Sequence, residues 1–408
     1  MGFTIEQTCP QCGGPIEIDE TDHLLRCPYC DVRNYIFAPT YFRYELPHKA
    51  PKKELIYAPY LRFRGSVYFC KDMDIGHRLV DITAMGIDFK GIPASLGIRP
   101  QAMKMKFVTP ETTGSFLRFT RKASDILANA GRLSSGSNNG DILHRAFIGE
   151  TMSLIYLPLY IKNNRLYDAV LNKPIANFSG GVDNLEQAIN RSPKWGLTFI
   201  PTLCPDCGWE LEGDAGSVVL TCSNCDTAWE AVKGKFKKID FNLVPGEDKE
   251  SIYLPFWKTT VVTRGVDISS FADFVRLTNQ PRVVGKDWEE KPMSFWSPAF
   301  KIRPKVFLRL SKQFTISQQQ FETEDLIPKK NLFPVTLPCT EAVQSMKMIL
   351  AASAVFKKNI FPHLPHIRFD VKKATLVFLP FSDTGHEMKQ QHIEISINKN
   401  TLDFGLKL

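Results

Sequence analysis

Residues 9–31 read CPQCGGPIEIDETDHLLRCPYCD and place four cysteines in two C-x-x-C pairs. Cys9 and Cys12 form the first pair, Cys27 and Cys30 form the second, and fourteen residues separate the pairs. The intervening PIEI, DETD and HLLRC are typical of a strand, a turn and a return strand, which would bring both pairs to one point. Four thiolates at about 2.3 Å in a tetrahedron are a ligand set that suits zinc. We therefore predict that this stretch folds as a metal-bound β-hairpin.

A second stretch at residues 204–226, CPDCGWELEGDAGSVVLTCSNCD, repeats the pattern. Both stretches open C-P-x-C-G, close C-x-x-C-D and keep fourteen residues between the pairs. Gly13 and Gly208 can take a positive φ, which lets the chain leave the C-x-x-C turn. The sequence thus predicts two Zn²⁺ ions per chain. The second set of ligands is Cys204, Cys207, Cys222 and Cys225.

Both stretches resemble zinc ribbons, the small hairpin modules of transcription factor B-type proteins, RNA polymerase subunits and many bacterial proteins of unknown role. The resemblance covers only the residues around each cluster. Because zinc-ribbon families include nucleic-acid binders, docking modules and structural clips, it implies the metal and not the function. Rubredoxin-like iron centres use the same knuckle with pairs further apart, so an iron-binding electron carrier is a minor alternative. A closed four-cysteine site has no open coordination position, and we expect both metals to be structural.

Four markers, of which the ribbons are the first, suggest that the chain contains an internal repeat. They occur in the same order in both halves, and the offset between partners only grows, as loop insertions in a second copy would produce. We therefore predict two tandem copies, at about 1–195 and 196–408. The pairs, at offsets of 195, 196, 204 and 222 residues, are Cys9/Cys204, Tyr57/Tyr253, Ile98/Ile302 and Pro158/Pro380.

The segments after each ribbon predict an α+β fold, in which each copy carries a mostly antiparallel β-sheet and few helices. Runs such as LIYAPYLRFRGSVYFC are typical of strands, whereas TEAVQSMKMILAASAVFKK at 340–358 has helical character. Shorter helices are predicted at 123–134 and at 183–192, the latter as a bridge between the copies. The predicted domains are zinc ribbon 1 at 1–40, sheet domain 1 at 41–180, a linker with a short helix at 181–200, zinc ribbon 2 at 201–235 and sheet domain 2 at 236–408.

The composition is that of an ordinary globular protein, with 43% hydrophobic and 23% charged residues. The formal net charge of +8 permits an anionic partner without requiring one. No apolar run approaches the ~18 residues of a membrane-spanning helix, and MGFTIEQTCP lacks the features of a signal peptide. Since eight of the ten cysteines fall in C-x-x-C pairs, metal is favoured over disulfides. We expect a cytoplasmic protein without membrane insertion.

Motifs of known catalytic sites are missing from the sequence. It has no glycine-rich dinucleotide loop, no P-loop and no nucleophile elbow. The stretch GHEMKQQH brings His386, Glu387 and His392 together, but Gln390 stands where H-E-x-x-H requires its second histidine. We therefore expect a protein that is not an enzyme and has no small-molecule substrate. The other histidines and cysteines considered, which we interpret as structural, are His363, His366, Cys70 and Cys339.

The function favoured by these features is a scaffold or docking subunit of a larger protein assembly. The closed metal sites and the abundant aromatic residues support it, because aromatic side chains are enriched in interface cores. The alternative is a single-stranded nucleic-acid-binding protein, since cations and aromatics interleave in YLRFRGSVYF and KIRPKVFLRLSK and could meet phosphates and bases on a sheet face. The candidate contact residues for either partner are Arg62, Phe63, Arg64, Lys104, Lys106, Lys258, Lys305 and Arg309.

Overall fold

A computed structural model describes residues 2–48, 50, 54–89, 91–128, 142–177, 189–190, 195–248 and 250–407. The fold is mixed and mostly β, with several sheets, in agreement with the predicted α+β class. The chain divides into two compact units. Unit 1 comprises Met1–Arg64, Val80–Leu133 and Glu150–Pro201, and unit 2 comprises Gly65–Leu79, Ser134–Gly149 and Thr202–Leu408. Two segments from the first half of the chain therefore belong to the second unit.

Fourteen strands lie before residue 202 in the described part of the chain. They are β1 Thr4–Thr8, β2 Pro15–Asp19, β3 Leu24–Arg26, β4 Arg33–Phe37, β5 Phe42–Glu45, β6 Ile56–Lys71, β7 Asp74–Met85, β8 Met105–Phe107, β9 Ser115–Leu117, β10 Ile142–Lys162, β11 Arg165–Asp168, β12 Lys173–Asn177, β13 Ile189–Asn190 and β14 Thr198–Pro201. One helix, α1, spans Arg99–Ala102, and a further helical turn covers residues 123–128.

The main sheet has eleven strands, whose path runs β13-β9-β6-β10-β5-β8-β1-β2. Off this path, β7 pairs with β6, β11 pairs with β10, and β12 pairs with β11. Most described pairs are antiparallel, but β1–β8, β5–β10 and β6–β9 are parallel. A separate small sheet has the order β14-β4-β3. The polar–apolar alternation of β2, with Ile16 and Ile18 buried, turns one face of this edge strand toward the core.

The first ribbon differs from the single hairpin that we predicted. PIEI lies in β2 and pairs with β1, whereas HLLRC contributes β3, which pairs with β4. Each C-x-x-C knuckle is thus the turn of its own hairpin, Cys9–Gly14 between β1 and β2, and Cys27–Val32 between β3 and β4. The prediction was wrong because alternation identifies a strand but not its partner.

Unit 2 holds a six-stranded sheet of order β20-β19-β21-β22-β23, with β18 parallel to β21, and a three-stranded sheet of order β15-β16-β17. Its strands are β15 Val219–Cys222, β16 Thr227–Val232, β17 Lys235–Ile239, β18 Phe241–Leu243, β19 Ile252–Arg264, β20 Ser294–Pro298, β21 Arg368–Asp383, β22 Glu387–Gln390 and β23 Ile395–Asn398. Its helices are α2 Phe271–Thr278, α3 Pro304–Ser317, α4 Cys339–Ser353 and α5 Lys399–Gly405, with 3-10 turns at Lys286–Trp288, Lys357–Asn359 and Phe361–His363.

The core of unit 2 is rich in aromatic rings. Phe256 of β19 packs against Phe314 of α3 with ring centroids 4.5 Å apart. The part of β6 that belongs to this unit adds Tyr68, which is 1% exposed and lies against Phe307. The Tyr68 hydroxyl also donates to the carbonyl of Pro304 at 3.2 Å. Residues from the first half of the sequence therefore help to form this core.

The helices of unit 2 confirm one prediction from the sequence and correct another. Helix α4 confirms the helix predicted at 340–358, although it starts at Cys339, has Pro338 at the N-cap and ends at Ser353. KIRPKVFLRLSK was interpreted as a basic strand, but it forms α3, because its buried Phe307, Leu310 and Phe314 recur at helical spacing. None of the helices in the described part of the chain has the length and apolar character that crossing a bilayer requires.

The two shorter predicted helices fall largely on residues that the structure does not describe. Of the helix predicted at 123–134, residues 123–128 are helical and the rest lie outside the described residues. Of the bridging helix predicted at 183–192, only Ile189–Asn190 are described, and they form β13, which pairs with β9.

Candidate metal centres

The first cluster brings Cys9, Cys12, Cys27 and Cys30 together, with all four sulfur atoms within 4.8 Å of one another. The Sγ atoms of Cys9 and Cys30 are 3.7 Å apart, and those of Cys12 and Cys27 are 3.6 Å apart. Cys9 and Cys27 are buried, whereas Cys12 is exposed. The cluster therefore lies at the surface of unit 1, with half of its ligands anchored in the interior.

The second cluster has the same arrangement in unit 2. All four sulfur atoms again lie within 4.8 Å of one another. The Sγ atoms of Cys204 and Cys225 are 3.6 Å apart, and those of Cys207 and Cys222 are 3.5 Å apart. Cys204 and Cys222 are buried and Cys207 is exposed, so the burial pattern matches the first cluster position by position.

The sulfur–sulfur distances fit a tetrahedral metal and no disulfide. A tetrahedron with metal–sulfur bonds of about 2.3 Å has edges of about 3.8 Å, and the four sulfur–sulfur distances given above lie between 3.5 and 3.7 Å. A disulfide would require about 2.05 Å. Thiolate-only tetrahedral sets suit zinc, and iron–sulfur chemistry uses the same ligands. The residues present therefore fit a metal ion of this class, with all four positions filled by protein.

Backbone geometry explains why the spacing C-x-x-C-G positions two ligands. Gly13 and Gly208 take φ of 73° and 74°, a region that favours glycine. In the first ribbon the Gly13 N–H donates to the Cys9 carbonyl at 2.9 Å, and in the second the Gly208 N–H donates to the Cys204 carbonyl at 2.8 Å. The two knuckles therefore fold the same way from the same local sequence.

The second knuckle of each ribbon makes the equivalent turn with aspartate. Asp31 and Asp226 take φ of 58° and 49°, which aspartate tolerates better than most residues. The carboxylates of these two aspartates have different partners. Asp31 pairs with Arg26 at 2.5 Å on the surface, whereas Asp226 accepts the backbone N–H of Ile327 at 2.9 Å and so ties the second ribbon to a distant loop of unit 2.

The four thiols of the first cluster affect one another's ionisation. The pKa of Cys9 is lowered to about 6, because the backbone N–H of Cys12, and less strongly that of Gln11, stabilises its thiolate against the cost of burial. The Val32 backbone N–H favours the Cys30 thiolate, yet burial and the other three sulfurs raise the pKa of Cys30 to about 12. A divalent cation at the centre removes this repulsion and holds all four as thiolates.

The second ribbon shows the same split. Hydrogen bonds from the backbone of Trp209 and the side chain of Asn224 lower the pKa of Cys207 to about 6. The Thr227 hydroxyl favours the Cys225 thiolate, but burial and the neighbouring thiols raise the pKa of Cys225 to about 12. Both clusters therefore contain a thiol with a lowered pKa and a thiol with a raised pKa.

Thr227 is a further candidate residue of the second metal centre, which the sequence analysis did not identify. Its Oγ1 lies 3.2 Å from the Cys225 sulfur and accepts the indole N–H of Trp229 at 2.9 Å, which leaves its own hydroxyl proton for the thiolate. Hydrogen bonds of this kind orient and tune metal ligands. The position after C-x-x-C-D holds Thr227 in the second ribbon and Val32 in the first. That difference was visible in the sequence and marks the second site as the better supported one.

The candidate contact residues of unit 1 separate into buried and exposed groups. Arg62 is 1% exposed, and its guanidinium lies 2.6 Å from Glu20 and 2.9 Å from Asp81. Arg64 is also buried, 3.7 Å from Glu20. The other three divide in the same way, with Phe63 fully buried, Lys104 exposed and paired with Glu17, and Lys106 exposed.

In unit 2 the candidate contact residues lie on different elements. Lys258 of β19 is half-buried, and its ammonium lies 5.4 Å from the centre of the Trp296 ring. Burial, followed by Lys291 and Lys373, lowers the pKa of Lys258. Lys305 and Arg309 are exposed on α3, where Arg309 donates to the Ser396 carbonyl at 2.8 Å. A role for any of these residues in partner contact stays a prediction.

The histidine stretches form no further cluster. Among the described residues, the groups of histidine, cysteine and acidic side chains close enough to hold a metal are the two four-cysteine sets. Gln390 hydrogen-bonds the His392 ring at 3.0 Å, and it is fully buried. Burial raises the pKa of the remaining thiols, Cys70 to about 12 and Cys339 to about 11, so both are held as neutral thiols.

A scan against protein-family models finds no match for this chain, and neither a search of curated proteins nor a search of solved structures finds one.

Proposed function

We propose that the protein is a non-enzymatic zinc-binding scaffold, a docking subunit whose two ribbons hold the shape of a larger protein assembly. The observation that carries this proposal is the pair of clusters in which four cysteines fill every position of a tetrahedral metal. A metal closed in this way has no position for water or substrate, so its contribution is to folding rather than to chemistry.

Zinc is the metal we propose for both sites. Small β-hairpins bury too little apolar surface to fold on their own, and a structural zinc supplies the missing free energy. The second ribbon also shares a small core with the sheet behind it, since Val219 and Ala228 pack in one cluster with Trp257. The metal would thus hold one wall of that cluster in place.

We further propose that the two units descend from one duplicated module, as the sequence markers predict. The support is a matching pattern of pairing. A short strand after each ribbon runs parallel to a long late strand, β5 with β10 and β18 with β21. The late strand then pairs antiparallel with one short strand, β11 or β22, and that strand pairs antiparallel with the next, β12 or β23.

Two further correspondences support the duplication. The matched Tyr57 and Tyr253 each make a parallel contact with a later segment, at Phe116 and Leu332. The matched IRP stretches each begin a helix, α1 and α3. A duplicated module with a metal clip in each copy is more economically explained as a repeated docking surface than as an active site.

The alternative of nucleic-acid binding is less favoured, because Arg62 and Arg64 are buried beside Glu20 rather than free for phosphates. Affinity purification of the full chain from its native cells tests the docking proposal. We expect stoichiometric protein partners that resist nuclease treatment. Elution as a lone chain, or only with nuclease-sensitive material, would contradict it.

A further inference from the structure

Unit 1 contains a large open groove that neither metal site uses. It has a volume of about 1020 Å³ and lies over the ends of β1, β2, β5, β6 and β8, together with residues 109–113. We call it the acidic groove. Its size is at the upper end of the range that ligand-binding clefts occupy, and it borders β2, which ends the main path of the sheet.

The charge of the groove is opposite to that of the chain. Although the whole chain carries a net charge of +8, four carboxylates line the groove against one lysine and one histidine. Strand register sets three of these carboxylates in a row, because Glu17 faces Glu6, Glu6 faces Lys106, and Lys106 faces Glu45. The charged lining residues are Glu6, Glu17, Glu45, Glu111, Lys106 and His48.

Glu45 is the innermost of these carboxylates. It is half-buried, and its Oε2 atom is buried without a hydrogen-bond partner. The Tyr57 hydroxyl donates to the same carboxylate, and burial raises the pKa of Glu45. A buried carboxylate oxygen without a donor is costly, so the Glu45 carboxylate is less well satisfied here than it would be in water.

The floor beside Glu45 is rigid and aromatic. Tyr57 stacks on Phe116 with ring centroids 4.6 Å apart, and Phe116 meets the edge of Tyr156 at 5.0 Å. Tyr57 is only 2% exposed, so the ring is fixed by packing while its hydroxyl reaches the carboxylate. Leu55 adds an apolar surface along which the methylene groups of a long cationic side chain could lie.

We propose that the acidic groove binds an extended basic segment of a partner protein, with an arginine or lysine of that segment pairing with the Glu45 carboxylate. The groove's charge selects a cation, its volume of about 1020 Å³ exceeds that of a single side chain, and the exposed Glu6 can meet a further cation. This inference rests on the proposed docking function and names the chemistry of its partner.

The test uses the full metal-loaded chain and a fluorescein-labelled peptide of alternating arginine and serine at physiological ionic strength. A peptide with glutamine in place of each arginine is the matched probe. We expect the arginine peptide to bind in fluorescence anisotropy, Glu45→Gln to weaken it at least tenfold, and the glutamine peptide not to bind. The control is Glu247→Gln, which removes the same charge from an exposed position of unit 2.

Equal binding by wild type and Glu45→Gln would overturn the proposal. So would failure of the arginine peptide to bind while spermine binds in calorimetry, since that would assign the groove to a small polyamine. If Glu45→Gln does not fold, Glu6→Lys at the exposed rim replaces it, and we expect a loss of at least fivefold. Should Glu45→Gln still recover its native partners in affinity purification, the groove proposal fails while the docking function stands.

Discussion

Replacing Arg62 by alanine separates the two roles that this residue could have. As a nucleic-acid contact it would be dispensable for folding. In the structure its guanidinium is 1% exposed, bonds Asp81 through two nitrogen atoms at 2.9 Å and Glu20 through a third at 2.6 Å, and lies 4.9 Å from the Phe3 ring centre. We therefore expect Arg62→Ala to destabilise unit 1.

The expected loss of stability depends on the carboxylates that Arg62→Ala leaves without their partner. Breaking a buried ion pair by removing one partner costs about 3–5 kcal/mol, since the other charge is left uncompensated. Two features place the expected cost of Arg62→Ala near the lower end of this range. Arg64 stays 3.7 Å from Glu20, and Asp81 keeps its hydrogen bond from Gln101 at 2.7 Å. A loss of about 3 kcal/mol corresponds to a fall of roughly 6–12 °C in the melting temperature of a unit of 150–250 residues.

The loss should also depend on pH. Burial raises the pKa of Glu20, and removing the Arg62 charge raises that pKa further. A carboxyl whose pKa is higher in the folded state stabilises the fold when protonated, and this contribution is lost as the pH rises through the folded pKa. We therefore expect the destabilisation by Arg62→Ala to be larger at pH 8 than near pH 4.5.

Thermal and urea unfolding followed by circular dichroism measures both effects. Lys104→Ala is the matched control, because it removes a cation from an exposed pair with Glu17, and such pairs contribute about 0–1 kcal/mol. If Arg62→Ala melted like the wild type and instead lost affinity for an oligonucleotide, the burial argument would be refuted and the nucleic-acid alternative restored.

Three further outcomes follow from named contacts, each measured against the wild type. Tyr68→Ala should cost unit 2 about 3–5 kcal/mol in urea unfolding, since a large buried ring is lost; a change below 1 kcal/mol would mean that β6 adds little to that core. Ser270→Ala removes the hydroxyl that caps α2 and should cost about 1 kcal/mol. Burial opposes ionisation of Asp273, but hydrogen bonds from Ser269 and Ser270 lower its pKa to about 2, and this pKa should rise in Ser270→Ala on NMR titration. The stability that the ionised Asp273 contributes is present above pH 4 and is lost as the pH falls toward 2. Thr227→Val should weaken metal binding at the second site about tenfold in chelator competition, and Val32→Thr should leave that site unchanged; equal affinities would remove Thr227 from the site.

Much of the two metal centres could be predicted from the sequence, because the chemistry is local. The C-x-x-C-G spacing fixes both the ligands and the backbone turn, and Gly13 and Gly208 take the positive φ that the motif implies. Hairpin pairing in the first ribbon could not be predicted in the same way. PIEI was correctly read as a strand, but its partner is β1 rather than β3, since alternation carries no information about the neighbouring strand.

Burial that depends on contacts between residues distant in the sequence could not be predicted. Arg62 and Arg64 alternate with apolar residues, which is typical of a half-exposed strand, yet β6 is buried on both faces. Their position became clear only with Glu20 beside them, a residue 42 positions away. In KIRPKVFLRLSK the cations suggested a sheet surface, whereas the spacing of Phe307, Leu310 and Phe314 already favoured the helix that is found.

The measurement that tests the central claim most directly is the metal content of the purified full chain by native mass spectrometry with elemental analysis. We expect two zinc ions per chain, one after Cys9→Ser with Cys12→Ser, one after Cys204→Ser with Cys207→Ser, and none when all four substitutions are combined. A colourless wild type whose mass falls by one zinc in each variant would agree with two closed structural sites. Iron in place of zinc, or fewer than two metal ions in the wild type, would contradict the account.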